Sequence, residues 1–182
     1  MKDLSSHILD IVQNSIRAKA GLISIEMEER PNKNEFEIVI TDDGSGMTKE
    51  QVQLATDPFY TSRTTRKVGL GLSLLKQNAE MTGGNFKLES EPGKGTKVTA
   101  VFGLCHIDRP AMGDLTGTLL ILICSPGNAD YIFSYRTSSG EFKLDTREIK
   151  QTLENVPVTH PDVRTFLKEM IQENLEQIQI SE

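Results

Sequence analysis

Cysteine is scarce in this chain of 182 residues, and long apolar runs are lacking altogether. Its two cysteines, Cys105 and Cys124, are too few for the disulfide framework of a small secreted domain. No apolar stretch approaches the roughly 20 residues of a membrane-spanning helix, and residues 1–7 lack the apolar core of a secretory signal. These deficits argue against a disulfide-stapled fold and a membrane partner, and they predict a cytoplasmic protein. We expect both cysteines to be buried rather than to bind a metal together with His106.

Excess positive charge is lacking too. The net charge is −6, and its distribution is uneven: residues 1–104 carry 13 basic and 14 acidic side chains, whereas residues 105–182 carry 7 and 12. This balance argues against a nucleic-acid partner, because binding to a phosphate backbone needs clustered cations. The local exception is the segment that holds Arg63, Arg66 and Lys67, with three cations in five residues.

Hydrophobic periodicity in the first hundred residues predicts alternating helices and strands. Apolar residues at helical spacing, from Leu4 to Ile16, predict an amphipathic helix that Gly21 ends. Apolar–polar alternation on both sides of residues 31–34 predicts a β-hairpin. In chain order the predicted elements are a helix over 3–19, strands around 23–27 and 36–40, a helix capped by Thr48, a mobile loop over 57–68, a helix over 70–81, and strands over 86–90 and 96–102.

The last third of the chain follows a break near residues 105–113, where Pro110 and Gly113 stand. An apolar run over 118–124 fits either a strand or a buried helix. A hairpin is predicted over 131–144, then a short helix from the capping-box spacing at 145–148, then an amphipathic helix over 163–171. We therefore divide the chain into a domain over 1–104 and an extension over 105–182. The role of the extension is open between partner docking, dimerisation and covering the sheet.

A polar stripe marks the first predicted helix. Asp10, Asn14 and Ala18 are spaced by four residues, so they share one helix face. A solvated polar face would explain such a stripe if it stood alone.

Two glycine-rich segments follow. The segment Asp42-Asp43-Gly44-Ser45-Gly46-Met47 comes directly after a predicted strand, where Asp and Gly also suit an ordinary turn. The segment Gly69-Leu70-Gly71-Leu72 opens a predicted helix, whose free N–H groups and positive dipole end favour an anion.

With residues 92–96 (Pro-Gly-Lys-Gly-Thr) added, four elements occur in one order within the first hundred residues. Together they resemble the nucleotide site of the GHKL ATPase superfamily, which has the Bergerat fold. The resemblance covers about residues 3–104, and it is closest to the catalytic domains of histidine kinases and anti-sigma-factor kinases. It implies an α+β two-layer sandwich, with a mixed, mostly antiparallel sheet and helices on one face, and a small C-terminal α+β extension. It also implies ATP and Mg²⁺ as ligands.

In the family, the first helix carries the metal ligand and the catalytic carboxylate. The resemblance implies that the Asn14 side-chain oxygen binds Mg²⁺, which in turn holds the phosphates. Asp10 stands where the family usually has the glutamate that orients or deprotonates water. Ala18 belongs to the same face.

The adenine side of the site is implied at the strand ends. Asp42 matches the family carboxylate that accepts a hydrogen bond from the adenine amino group, and guanine presents an acceptor there instead. Gly44 and Gly46 would let the backbone approach the base, Met47 would pack on the ring, and Thr96 would help to fix the same adenine.

The phosphate side is implied between the two glycine-rich segments. Gly69, Leu70, Gly71 and Leu72 match the family's triphosphate-binding helix start. The predicted loop before them resembles the ATP lid, with a family aromatic at Phe59. Arg63, Arg66 and Lys67 would neutralise phosphate charge, although a solvated charge cluster explains Arg63 equally well.

The resemblance implies binding of Mg·ATP with slow hydrolysis or phosphotransfer to a protein, in a signalling or regulatory role. Histidine kinases also have a phosphoacceptor histidine on a helical hairpin before this domain. The sequence begins at the predicted first helix, so we expect a stand-alone kinase or ATPase that acts on a separate protein. A non-enzymatic, nucleotide-dependent binder is the alternative, and a homodimer is left open. Work on DNA of the gyrase or mismatch-repair kind is disfavoured by the short chain.

Overall fold

The computed structural model describes residues 3–57, 71–125 and 129–179. These residues form a six-stranded sheet with the spatial order β3-β4-β2-β1-β5-β6. The strands are β1 (Leu22–Arg30), β2 (Glu35–Asp42), β3 (Asn85–Glu91), β4 (Gly95–Gly103), β5 (Asp130–Thr137) and β6 (Gly140–Asp145). Neighbouring strands are antiparallel except β1 and β5, which are parallel. The sheet is therefore mixed and mostly antiparallel, as predicted.

The helices pack on one face of this sheet. They are α1 (Leu4–Arg17), α2 (Lys49–Ala55), α3 (Gly71–Met81), α4 (Leu115–Ile123), α5 (Thr146–Leu153) and α6 (Pro161–Gln179). Alternate strand residues are buried in one apolar core with residues of α1, α3, α4 and α6. Examples are Ile25 of β1 and the two residues that it pairs with, Ile40 of β2 and Phe133 of β5. The intervening positions carry charged side chains, including Glu26, Glu28 and Arg136. The predicted α+β two-layer sandwich is confirmed.

Helix starts follow the chemistry of their caps. Asp3 accepts a hydrogen bond from the Ser6 N–H and begins α1, and Thr48 forms a reciprocal capping box with Gln51 at α2. The apolar run that fitted either type of element is a helix, α4, because Asp114 caps it through the Gly117 N–H. No helix in the described ranges is both long and apolar enough to cross a membrane.

The C-terminal third continues the same sheet. β5 lies beside β1, with Phe133 opposite Ile25, and β6 forms the edge. The division at 104/105 falls between β4 and α4, and it stays a prediction.

Two details of the sequence analysis were wrong. The helix α1 ends at Arg17, before Gly21, and Ile16 is 37% exposed because it lies on the flank of the apolar stripe. Cys105 is exposed, because it lies two residues after the end of β4 in the connection to α4, and Cys124 is half-buried; both thiols are free.

Candidate functional site

A cavity of about 420 Å³ opens where α1 crosses the ends of β2 and β4. Its lining combines apolar side chains with a small number of polar ones, as is usual for small-molecule sites. The residues that line it are Ile11, Asn14, Ser15, Arg17, Ala18, Asp42, Ser45, Gly46, Met47, Gln51, Leu72, Thr96 and Val98. Seven residues predicted for the nucleotide site from sequence therefore meet at one cavity: Asn14, Ala18, Asp42, Gly46, Met47, Thr96 and, from α3, Leu72.

Asp42 is the buried carboxylate of this cavity. It is the last residue of β2 and is 8% exposed. Its Oδ2 accepts a hydrogen bond from the Ser15 hydroxyl at 2.6 Å, and its Oδ1 accepts one from the Gly44 N–H at 2.9 Å. Each carboxylate oxygen has a second acceptor position. The carboxylate is thus held in one orientation and can still accept a hydrogen bond from a ligand.

Gly44 and Gly46 are required by close approach. A Cβ at Gly44 would lie 2.9 Å from the Ala18 Cβ and 2.9 Å from Asp42 Oδ1. Gly46 has φ +64°, and a Cβ there would overlap the Glu91 carbonyl group. Ala18 and Gly44 therefore bring α1 into contact with the turn that follows β2.

Thr96 reaches the site through a hydrogen-bonded cluster. It lies opposite Asp42 across β2 and β4, and its Oγ1 is 2.9 Å from the Ser90 Oγ. Ser90 also accepts a hydrogen bond from the Met47 N–H at 2.8 Å and donates one to the Gly95 carbonyl at 2.8 Å. The backbone at Met47 and the Thr96 hydroxyl are fixed together by one side chain.

Asn14 lies half-buried on the cavity wall, one turn before Ala18. Its Oδ1 accepts a hydrogen bond from the Arg17 guanidinium at 2.9 Å, and Arg17 lines the cavity as well. An amide oxygen and a cation thus lie side by side on the cavity wall.

Asp10 is one turn before Asn14 on the same helix, outside the set of residues that line the cavity. Its Oδ2 is buried and has no hydrogen-bond partner within the described part of the chain. A buried carboxylate oxygen without a partner is costly, so this atom marks a place where a water or a ligand group would be bound.

His7 packs beside this position and is only 1% exposed. Its Nε2 lies 2.9 Å from the Asn78 amide nitrogen. That nitrogen can only donate, so Nε2 accepts and the imidazole is neutral. Burial lowers the pKa of His7 below its usual value, which agrees with a neutral ring.

The phosphate side is described only from Gly71 onward. Gly71 is buried at the first position of α3, and Leu72 is 4% exposed. The remaining predicted phosphate and lid residues, Phe59, Arg63, Arg66, Lys67, Gly69 and Leu70, lie outside the described residues, as does nearly all of the predicted loop over 57–68.

Sequence reasoning missed Ser15 and Ser90, which position the predicted residues. Ser15 follows Asn14 directly, and only the crossing of α1 over the end of β2 brings it to Asp42. Ser90 had a usable signal, because a hairpin across 92–95 places it opposite Thr96. Arg17, Ser45 and Gln51 also line the cavity without having been predicted.

Comparison with known proteins identifies a family for this chain. The sequence profile of the family described as "Histidine kinase-, DNA gyrase B-, and HSP90-like ATPase" matches residues 2–105. The chain is 31% identical over 116 residues to a "Non-motile and phage-resistance protein" of Caulobacter vibrioides, covering 59% of this chain and 14% of that protein. It is 31% identical over 98 residues to "Sensor histidine kinase ZraS" of Klebsiella oxytoca, covering 53% and 21%.

Two further similarities were found. "Sporulation kinase B" of Bacillus subtilis is 34% identical over 97 residues, covering 53% of this chain and 22% of that protein. A solved structure, "Crystal Structure of N terminal domain of a DNA repair protein", covers 80% of this chain and 52% of its own, with a TM-score of 0.48 and 19% identity. The matched stretch spans about a fifth or less of each of these three longer relatives. Because the family profile covers more than half of the sequence, the chain belongs to the family of histidine kinase-, DNA gyrase B-, and HSP90-like ATPases.

Proposed function

We propose that this protein binds Mg·ATP in the cavity between α1 and the ends of β2 and β4, and that it transfers the γ-phosphoryl group to a partner protein or to water in a signalling role. The observation that carries the proposal is the Asp42 carboxylate, buried and oriented by Ser15 and Gly44 at the wall of a cavity of about 420 Å³.

The cavity suits adenine. Asp42 accepts a hydrogen bond from the exocyclic amino group, and Thr96, opposite it in the sheet, supplies a hydroxyl beside the same edge of the base. Ile11, Met47 and Val98 provide apolar walls for the ring. Guanine would place an acceptor oxygen against the carboxylate, so the arrangement favours adenine.

The donor set fits a metal that arrives with the nucleotide. No group of three or more carboxylate, imidazole or thiol side chains in the described ranges could hold an ion by itself. Asn14 offers one amide oxygen, which is a suitable ligand for Mg²⁺ when phosphate oxygens and waters supply the rest. Bound in this way, the ion would neutralise phosphate charge. Arg17, which now bonds to the Asn14 oxygen, would turn to the phosphates when that oxygen is used.

Asp10 is the proposed catalytic residue. It lies on α1 one turn before Asn14. Its buried Oδ2, which has no hydrogen-bond partner among the described residues, would bind and orient the attacking water or hydroxyl group. Positioning and charge stabilisation would supply most of the rate enhancement, as in phosphoryl transfer generally.

The phosphoryl acceptor would belong to another protein. His7 is buried, and its Nε2 accepts a hydrogen bond from Asn78, so this ring is not available as a nucleophile. His106 and His160 are exposed and come after β4 in the sequence. His106 lies beside Asp108 of its own loop, and His160 lies beside Asp162 in the first turn of α6. Kinase function is supported by the names of relatives such as a sensor histidine kinase and a sporulation kinase.

A nucleotide-gated binder without catalysis is the second candidate. The observation in its favour is that Asp10 is a methylene shorter than glutamate and does not line the cavity. An Asp10→Asn variant separates the two. If the protein is an enzyme, we expect the variant to bind ATP and to lose turnover. If it is a nucleotide-gated binder, we expect no functional change.

The first experiment is incubation with γ-labelled ATP and Mg²⁺, with Asp42→Asn as the matched control. Label on a protein of the cell extract would support a kinase, and label released as phosphate would support an ATPase. Label that remains on bound ATP, with extract present, would favour the binder. Wild-type protein that does not bind ATP would overturn the proposal. We further propose a cytoplasmic location, supported by the two free thiols.

A further inference from the structure

A groove between α4 and α6 has no part in the nucleotide site. It is the larger of the two main cavities, at about 820 Å³, and it is open to solvent along its length. The two helices run antiparallel, since the thiol of Cys124, at the end of α4, contacts the Val158 carbonyl just before α6 begins. The groove therefore runs lengthwise between the two helices.

The floor of this groove is apolar. Leu115 and Leu120 of α4 and Leu175 of α6 form it, and Ile121 on the rim is 49% exposed. An apolar surface of this kind, bordered by polar side chains, is typical of protein contact sites.

One wall carries a cation and an anion at equal distances on either side of an amide, and a further cation, Arg164, lies one turn before them. Lys168, Gln172 and Glu176 are exposed, line the groove and follow each other at intervals of four residues, so they form a stripe along one side of α6. The Gln172 side chain donates a hydrogen bond to Glu176 at 3.0 Å, and Lys168 has no ion pair with any described residue. If a second α6 helix is turned end for end about Gln172, its Lys168 lies at the level of Glu176 in the first helix, and its Glu176 lies at the level of Lys168.

We propose that a second copy of the chain docks in this groove, with α6 antiparallel to its counterpart and Gln172 on the two-fold axis. Lys168 of each copy then faces Glu176 of the other, and each α6 fills the groove between the other's α4 and α6. Both copies use the same surface in this contact, so the assembly is complete as a dimer and adds no further copies.

The charge pattern is the reason to choose a second copy over a different protein. Under two-fold rotation, the Lys168 and Glu176 side chains of the two copies form two opposite-charge pairs at once. If the two α6 helices were parallel, Lys168 would face Lys168 and Glu176 would face Glu176. The helix α6 has 19 residues and is about 28 Å long, so an antiparallel contact can extend over several helical turns. Two such helices with two α4 helices would form a four-helix layer.

The test is the mass of the protein in solution, measured by light scattering and sedimentation over a concentration series without nucleotide. We expect the wild type to be a dimer that dissociates on dilution. Lys168→Glu and Glu176→Lys should each raise the dissociation constant at least roughly tenfold, since each variant creates two like-charge contacts. A wild type that is a monomer up to about 0.2 mM, a weak limit for a specific contact, would overturn the proposal.

Charge exchange gives a sharper test. The double variant Lys168→Glu/Glu176→Lys should dimerise like the wild type, and an equimolar mixture of the two single variants should form a heterodimer. Glu173→Lys is the matched control, because this exposed residue of α6 does not line the groove and should leave the mass unchanged. If the single variants dimerise as well as the wild type, or if the mixture stays monomeric while its components are folded, the antiparallel contact is wrong. Nucleotide binding is not used in this test, so its outcome is independent of the proposed function.

Discussion

The nucleotide cavity and the groove between α4 and α6 are built in opposite ways. At the junction of α1, β2 and β4, polar side chains orient one another: Ser15 and the Gly44 N–H hold Asp42, and Ser90 holds Thr96. Between α4 and α6, apolar side chains form the floor and charged side chains such as Lys168 and Glu176 stand on the rim. A preorganised polar cluster suits a small ligand with defined hydrogen bonds, whereas an apolar groove suits a large surface that is complementary in charge. Substitutions in the first region should therefore change binding, and substitutions under the second should change stability.

The largest effect is expected beneath the groove. Leu167 of α6 is 2% exposed, and Leu167→Ala should lower the free energy of unfolding by about 3 kcal/mol, because it leaves a cavity in the core. Urea unfolding would measure this loss, and ATP affinity of the folded fraction should not change. The neighbouring Phe166 is 63% exposed, so Phe166→Ala should cost less than about 0.5 kcal/mol. Equal costs at the two positions would contradict the packing of α6.

Asp42→Asn should weaken ATP binding by roughly 30-fold, about 2 kcal/mol, as measured by calorimetry. The new amide presents only one oxygen, which Ser15, Gly44 and the adenine amino group must then share. Asp43→Asn is the matched control: the Asp43 carboxylate accepts hydrogen bonds from the N–H groups of Gly21 and Leu22, away from the cavity lining. ATP affinity that falls equally in both variants would remove Asp42 from the adenine site.

Ser15→Ala should weaken ATP binding roughly fivefold, about 1 kcal/mol, because the Asp42 carboxylate loses the hydroxyl that orients it. Ser5 of the same helix is equally buried, but its hydroxyl donates to the Met112 carbonyl in the connection to α4. Ser5→Ala should therefore lower stability by a similar amount and leave ATP affinity unchanged. A comparison of calorimetry and urea unfolding for the two variants would show whether the regions are as separate as their contacts suggest.

The smallest effect concerns pH. Burial lowers the pKa of His7 in the folded protein below its usual value of about 6.5. At a pH just below 6.5, the unfolded chain therefore binds a proton at His7 more readily than the folded protein does. Stability is then fully present above that value and falls as pH decreases from about 7 to 5, even though Asp3 and Asp10 oppose the shift. His7→Gln should flatten this slope in urea unfolding curves. A slope that is unchanged would mean that other groups cause it.

Most of the N-terminal architecture could be predicted, because its signals are local. Apolar–polar alternation predicted β1 and β2, and the Thr48 cap predicted α2. The apolar run over 118–124 could not be assigned from sequence, because a strand and a buried helix have the same local pattern. It is helical in the structure, where Asp114 caps the helix and Leu119 and Ile123 are buried in the core. The parallel pairing of β5 with β1 joins segments more than one hundred residues apart, for which no local pattern exists.

The sequence by itself determined the family and the identity of the predicted nucleotide residues, because spacing on helices and at strand ends is a local property of the chain. Only the tertiary structure decided which partners hold them. Ser15 reaches Asp42 because α1 crosses the end of β2, and Lys168 and Glu176 border a groove because α4 packs antiparallel to α6. These contacts follow from burial of the shared core between sheet and helices, which no single segment encodes alone.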